Sequence, residues 1–330
     1  VSKRNAIILA VVVLVAVAAN LIVPKPFDPE IVLHAEYIPM PFSLPLLGNR
    51  LPNTIIATWV TMTVLVVVSI LATRNMQLVP SGLQNLIEMV IEMLHNFFEG
   101  MVGQRVRQFF PVVATLFLFI LVSNWMGLLP GYLTIGIWEE HHEAGVQTVE
   151  SVTHEQQVEA KEAEEHHEEG ERVLVPFLRS DATDLNTTVA LAICSVVAAQ
   201  VYGFRAAGLG YLTRFINLGK LAGFFAGLVG RGPRRGIEGL LTGIADVLIG
   251  ILEVFDELTK ILSFSFRLFG NIFAGEVLLI VIAFLMPLVA SLPFMALELF
   301  VGFMQAFIFA VLSLAFFGLA VAHGEHEHEH

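Results

Sequence analysis

The chain is short of charge: only 15% of its 330 residues are Asp, Glu, Lys or Arg, against 56% hydrophobic. A soluble domain carries about 25% charged residues. Too few charges remain to cover a water-facing surface, which excludes an ordinary cytosolic enzyme and a disordered chain. Cysteine is nearly absent. The single thiol, Cys194, lies inside an apolar run, so no intrachain disulfide forms and a disulfide-stapled secreted module is excluded. A basic excess is also missing, with 18 Lys and Arg against 30 Asp and Glu, so nothing points to a nucleic-acid partner. There is no P-loop and no nucleotide site.

The net charge of −12 has one source. Residues 139–171 hold twelve glutamates and one lysine, which leaves the rest of the chain close to neutral. What fills that remainder is long apolar runs, roughly 5–23, 54–73, 111–130, 184–204, 241–286 and 288–322. A bilayer crossing needs about 20 such residues. The expected fold is therefore an all-α integral membrane protein.

Within residues 1–23, the apolar run 5–23 follows the basic Lys3 and Arg4 and ends among small residues, Ala16, Ala18 and Ala19. The segment fits both a cleaved secretory signal and an uncleaved anchor, and residues 24–53 then begin outside. Arg74, Arg105 and Arg107 follow the second run; Arg205, Arg214, Lys220, Arg231, Arg234 and Arg235 follow the fourth. The positive-inside rule puts both loops and the C-terminus in the cytoplasm, with the acidic loop outside. The expected divisions are 54–136 (membrane helices), 137–180 (acidic, His-rich loop), 181–240 (a span and a basic loop), 241–322 (a helical hairpin) and 323–330 (a His/Glu tail).

Within the second division, residues 81–99 read as an amphipathic helix lying at the cytoplasmic interface. Ser81 and Gln84 fit a capping box, Glu88, Glu92, His95 and Glu99 form one polar stripe, and Gly100 is the expected stop. Pro111 and Pro130 are expected to bracket the next span. Asp184 either caps the helix that it opens or lines a polar entrance with Asn186 and Thr187.

The hairpin carries the chemistry. From Ile261 to Ala322 the only charged side chains are Arg267, Glu276 and Glu298. A helix over 241–286 would be about 65–70 Å long, and the hydrocarbon core is about 30 Å thick, so it must tilt, break or lie along the membrane. At about 100° per residue, Glu253, Lys260, Arg267 and Asn271 share one face and Glu276 projects from the opposite one. In an antiparallel pair, residues at one level have a constant index sum. Arg267 with Gln305, and Glu276 with Glu298, sum to nearly the same value, with the apex near Met286 and Pro287. Each pair therefore sits at one depth, and the glutamates titrate as a coupled pair if they meet.

An arginine in the hydrocarbon zone costs about 2.5–3.5 kcal/mol on insertion scales and does not lose its proton to escape. Intramembrane ionisable groups default to function. Lys260 reads equally as a snorkelling anchor, and Asn271 and Gln305 equally as helix–helix hydrogen-bonding groups.

The run Ser263-Phe264-Ser265-Phe266-Arg267-Leu268-Phe269-Gly270-Asn271-Ile272-Phe273-Ala274-Gly275-Glu276 resembles the signature of subunit a of the rotary F-type ATP synthase. Gln305-Ala306-Phe307-Ile308-Phe309 resembles its second signature, and Asn124 to Pro130 and Asp184 to Thr187 resemble its third and fourth spans. The resemblance covers about residues 51–322. It implies five membrane helices, including the long tilted hairpin, and two aqueous half-channels that meet a rotating c-ring of carboxylate-bearing hairpins. By resemblance, Arg267 is the essential arginine between the half-channels, Glu276 and Glu298 relay protons in the outer one, and Glu253 lines the inner exit. Asn271, Gln305 and Lys260 are polar support near the ring. Relatives commonly carry a histidine in the outer relay, where this chain has a glutamate pair. The resemblance implies a bacterial inner-membrane location and, as partners, the c-ring, peripheral-stalk subunit b, the other synthase subunits and lipid. It implies no cofactor and no catalysis by this subunit.

His141, His142, His154, His166 and His167 in the acidic tract, and His323, His326, His328 and His330 in the tail, invite a metal reading. No pair has a firm zinc spacing, so no metal site is assigned, and solvated segments or local proton buffering serve as well. Two rivals remain: a secondary transporter, disfavoured because no repeated half is visible, and a membrane-anchored metal-binding protein, which loss of function on deleting 139–171 would favour.

Overall fold

A computed structural model describes residues 37–44, 48–129, 132, 135–140, 172–208, 210–211, 233–285 and 291–326. The expected signal or anchor at 1–23, most of the acidic tract, the hairpin apex and the last four residues lie outside the described residues.

The fold is helical. Its elements are β1 (Tyr37–Leu44), β2 (Gly48–Pro52), α1 (Asn53–Thr73), α2 (Gly82–Val102), α3 (Val106–Gly127), β3 (Gly136–Glu140), β4 (Arg172–Pro176), α4 (Leu185–Ala207), α5 (Pro233–Leu285) and α6 (Ser291–His326). Five helical segments are long and apolar enough to cross a membrane. In hydrocarbon a helix satisfies every backbone group internally, which is why even the Val- and Ile-rich α1 is helical.

Two small antiparallel hairpins were not expected. β1 pairs with β2, Tyr37 opposite Pro52, and β3 pairs with β4, Gly136 opposite Pro176. The second hairpin brackets the acidic tract, so that insertion leaves and returns at one point. Gly136 has no side chain to block the Val175 carbonyl, which closes the pair.

Burial is inverted relative to a water-soluble protein. On α1 the polar Asn53, Thr54 and Thr61 are buried, while Trp59, Val66 and Ile70 are exposed. Helix α2 has three faces. Leu94 and Phe98 are buried, the stripe of Glu88, Glu92, His95 and Glu99 is polar, and Leu86, Met89 and Met93 are exposed. This suits a helix at an interface between water and lipid. It departs from expectation at both ends. Ser81 makes no side-chain cap, because Gln84 instead exchanges hydrogen bonds with the Gln77 backbone and donates to Glu88. The helix continues past Gly100 to Val102, and Gly103, at φ +63°, turns the chain. A single 3-10 turn leads into α3, which encloses Pro111 instead of starting there. Pro111 lies within two turns of the helix start, so its ring costs one backbone bond near the end.

Helix α6 is the centre of the bundle, packed between α3 and α4, with α5 against α4 and α6. Small residues let these helices approach closely. Ala192, Ser195 and Ala199 on α4 face Ala306, Ala310 and Ser313 on α6, all buried, and the Ser195 and Ser313 hydroxyls share a 2.7 Å hydrogen bond. Without a hydrophobic drive between helices in lipid, such contacts and hydrogen bonds carry the association. Lower down, Phe317 is enclosed by Phe109 and Tyr202, at 5.8 and 5.1 Å. Helix α5 begins eight residues before the expected 241 and runs for 53 residues unbroken. At 1.5 Å per residue it is about 80 Å long, more than twice the hydrocarbon thickness.

Candidate functional site

Two faces of α5 carry different chemistry. Arg267 lies on the outer face. It is exposed, donates a 3.3 Å hydrogen bond to the Ser263 hydroxyl one turn back, and makes no ion pair with another described residue. Asn271 is exposed one turn on and donates to the Arg267 carbonyl at 2.9 Å. Gly270 and Ala274 continue the same exposed stripe, flanked by Phe266 and Leu278. A fixed cation thus sits on an apolar helix face whose neighbours are small enough for another helix to come close.

The face expected to unite Glu253, Lys260, Arg267 and Asn271 divides. Lys260 is turned inward, with its Nζ over the Phe316 ring at 5.0 Å, 2.7 Å from Asp256 and 3.0 Å from Glu257. Glu253 joins those two acids in one carboxylate cluster. The lysine stem is long enough to carry its charge away from the Arg267 stripe, and a seven-residue spacing drifts about 20° per step.

The opposite face of α5 meets α6 in antiparallel register. The Phe264 and Phe309 rings lie 4.8 Å apart. Along the same register the Glu298 carboxylate packs on Gly275, in contact that only the absent side chain of Gly275 permits. Glu276 and Glu298 line one cavity of about 50 Å³ together with Asn124, Gly127, Leu128, Ser180, Ile272 and Leu279. Gln305, at the level of Arg267, is buried on α6. The two share a depth but no hydrogen bond among the described contacts.

The segment before α4 completes this inner site. Arg179, 4% exposed, donates from Nε to Glu276 Oε1 at 2.9 Å. Gly127 admits Ser180, whose Cβ would crowd any side chain there. Asp184 caps α4, accepting from the Asn186 N–H at 2.9 Å, and also accepts from the Thr54 hydroxyl at 2.9 Å. The cap and the polar-lining readings of Asp184 thus coexist. Asp181 is buried next to it and accepts from the Thr58 hydroxyl at 3.4 Å. Burial pushes the Asp181 carboxyl up to about 7, against weaker opposing hydrogen bonds from Ala182 and Thr58. Tyr132 is raised as well, first by burial and then by the nearby Asp181 charge. Asn124 donates to the Gly302 carbonyl at 3.2 Å, but its Oδ1, like the Ser180 Oγ, has no partner among the described residues. Both residues line the cavity, and orphaned oxygens call for water, which needs about 10–15 Å³ of space per molecule.

A family model described as ATP synthase A chain matches residues 55–318, which include every residue of both faces. The chain belongs to that family. This A chain is accordingly a multi-pass membrane subunit of an ATP synthase, engaged in proton transport linked to ATP synthesis, and it associates with other synthase subunits.

Arg179, Ser180, Asp181 and Asn124 were not singled out as site residues by sequence reasoning. The signal for the first three was an arginine and an aspartate in the last residues before a span. It was masked by the division drawn at 180, which left Arg179 and Ser180 in the acidic loop and put Asp181 in the next segment. Asn124 looks like an ordinary polar residue near a helix end until its orphaned oxygen is seen.

Proposed function

We propose that this A chain is the ion-translocating stator subunit of an F-type ATP synthase, non-catalytic itself, which passes protons through two half-channels to and from the carboxylates of a rotating c-ring. The observation that carries the reading is the exposed guanidinium of Arg267, without an ion pair among the described residues, on a face with small and apolar side chains. A rotor helix fits against Gly270 and Ala274, and its carboxylate meets a cation that never titrates. That charge favours the deprotonated carboxylate, drives release of its proton, and blocks a proton from passing between half-channels without rotation.

The cavity between Glu276 and Glu298 serves the outer half-channel. It combines titratable groups with room for water deep between helices. The Glu253 cluster serves the inner exit, with Lys260 as its counter-charge, and Asn271 and Gln305 support the rotor-facing site. The membrane is the bacterial inner membrane, the acidic loop lies outside, the C-terminus is cytoplasmic, and peripheral-stalk subunit b holds the chain against the turning ring. Each charge carried across yields about 2.3 kcal/mol per 100 mV, and several crossings sum to one ATP.

The test is Arg267→Ala in the assembled synthase. Coupled transport is abolished while ATP hydrolysis by the catalytic head remains. Normal ATP-driven proton pumping by that variant refutes the assignment.

A further inference from the structure

The buried arginine before α4 has no part in that scheme, although it donates to a relay carboxylate. Its Nε lies 2.9 Å from Glu276 Oε1, with side chains 5% and 9% exposed. Burying one charge alone is costly, and a paired, hydrogen-bonded partner is what makes it tolerable. The surroundings supply no other cation at this point among the described residues. α6 contributes Glu298, the segment before α4 contributes the buried Asp181 and Asp184, and α3 and the residue that follows it contribute only uncharged groups, Asn124, Gly127 and Leu128. Glu276 and Glu298 share one cavity, and the guanidinium of Arg179 donates to the first of them.

The geometry separates the two glutamates. Glu276 is held from outside its own helix by a planar, permanently charged donor. Glu298 faces Gly275, lines the cavity together with Asn124 and Ser180, and has no basic partner among the described residues.

We propose that Arg179 is a positioning residue of the outer half-channel: its ion pair fixes Glu276 and compensates its charge, so that the mobile proton is carried by Glu298 and by water in the adjoining cavity. The two glutamates are then unequal. Glu276 is a fixed anion that tethers the segment before α4 to α5, and Glu298 is the group that loads and unloads. This inference rests on the half-channel reading and deepens it.

The experiment uses the whole synthase in inverted membrane vesicles, with ATP-driven acidification normalised to ATP hydrolysis and followed as the pH of the compartment facing the acidic loop is varied. Four variants are compared with the wild type: Arg179→Lys, Arg179→Gln, Glu276→Gln and the double Arg179→Gln/Glu276→Gln. Arg179→Gln pumps less than the wild type, because removing one partner leaves the other charge buried and uncompensated, and its pH profile moves because Glu276 now competes for the proton. Arg179→Lys keeps the profile of the wild type. The double variant reproduces the profile of Glu276→Gln, since without the carboxylate there is nothing left to compensate.

An unshifted profile in Arg179→Gln overturns the proposal. So does a double variant that differs from Glu276→Gln as much as Arg179→Gln differs from the wild type. Should Arg179→Gln fail to assemble, recovery of assembly in the double variant supports charge compensation, and continued failure overturns it. The Arg267→Ala variant in the same vesicles separates the two levels. If it pumps, the half-channel reading falls; if it is inactive while Arg179→Gln behaves as wild type, only the role of Arg179 falls.

Discussion

Gly275→Ala is the most informative perturbation of the hairpin, because its effects on stability and on transport have opposite signs. Gly275 lies in the interior of α5, where alanine is favoured over glycine by about 1 kcal/mol. Its backbone is ordinary helix, so no strain opposes the change. The nearest obstacle is the Glu298 carboxylate, which occupies the space a Cβ would take. Ordinary contact begins at 3.4 Å, so the carboxylate withdraws by on the order of 1 Å, a displacement that costs up to about 100-fold where reacting groups must be aligned. The adjoining cavity of about 50 Å³ gives the side chain somewhere to go, so the fold is kept. The assay is ATP-driven acidification of inverted vesicles, with ATP hydrolysis and the amount of assembled subunit as controls. The expected result is normal or improved assembly with pumping reduced roughly 10- to 100-fold. Pumping at the wild-type rate would refute the reasoning, since Glu298 would then tolerate displacement from the position that the glycine secures.

Two further outcomes follow from the packing and the buried acid. Asp181 has its carboxyl raised from 3.8 to about 7 by burial. The folded state therefore holds this proton more tightly than the unfolded state. Between those values stability falls as pH rises, and above about pH 7 the full penalty, up to roughly 4 kcal/mol, is in force. Asp181→Asn is neutral and lacks the penalty, so the detergent-solubilised complex melts higher than wild type at neutral pH and the gap closes towards pH 4. A gap that does not change with pH would count against the buried carboxyl. Phe317→Ala empties the contact between α3, α4 and α6 and costs about 3–5 kcal/mol; a melting temperature close to wild type would show that the bundle centre is not packed as described.

Much of the fold was readable because hydrocarbon imposes one rule on the backbone. Runs such as 54–73 and 185–204 are long, uncharged and bounded by polar residues, so they become helices wherever they lie relative to one another. Register in the hairpin was readable for a related reason: antiparallel helices at one rise per residue keep a constant index sum, and Glu276 and Glu298 line the same cavity. Local geometry also separated Arg267 from Glu276, since nine residues amount to half a turn of azimuth. The helix ends were less legible. Gln84 had two sets of available partners, and the one chosen, the Gln77 backbone, depends on how the loop before α2 folds back.

What the sequence by itself determined is the inventory: membrane helices, a lone cation and two carboxyls in apolar surroundings, and their depths along the hairpin. Only the tertiary structure decided which groups touch. Arg179 and Glu276 are 97 residues apart, and no periodicity reaches across that distance. Whether a buried carboxyl faces a guanidinium, a glycine or a cavity depends on how α3, α4 and the segment between them dock on α5 and α6. Docking of this kind is set by small-residue contacts and by the demand that buried charge be compensated, both of which act between elements and leave no pattern within any one of them.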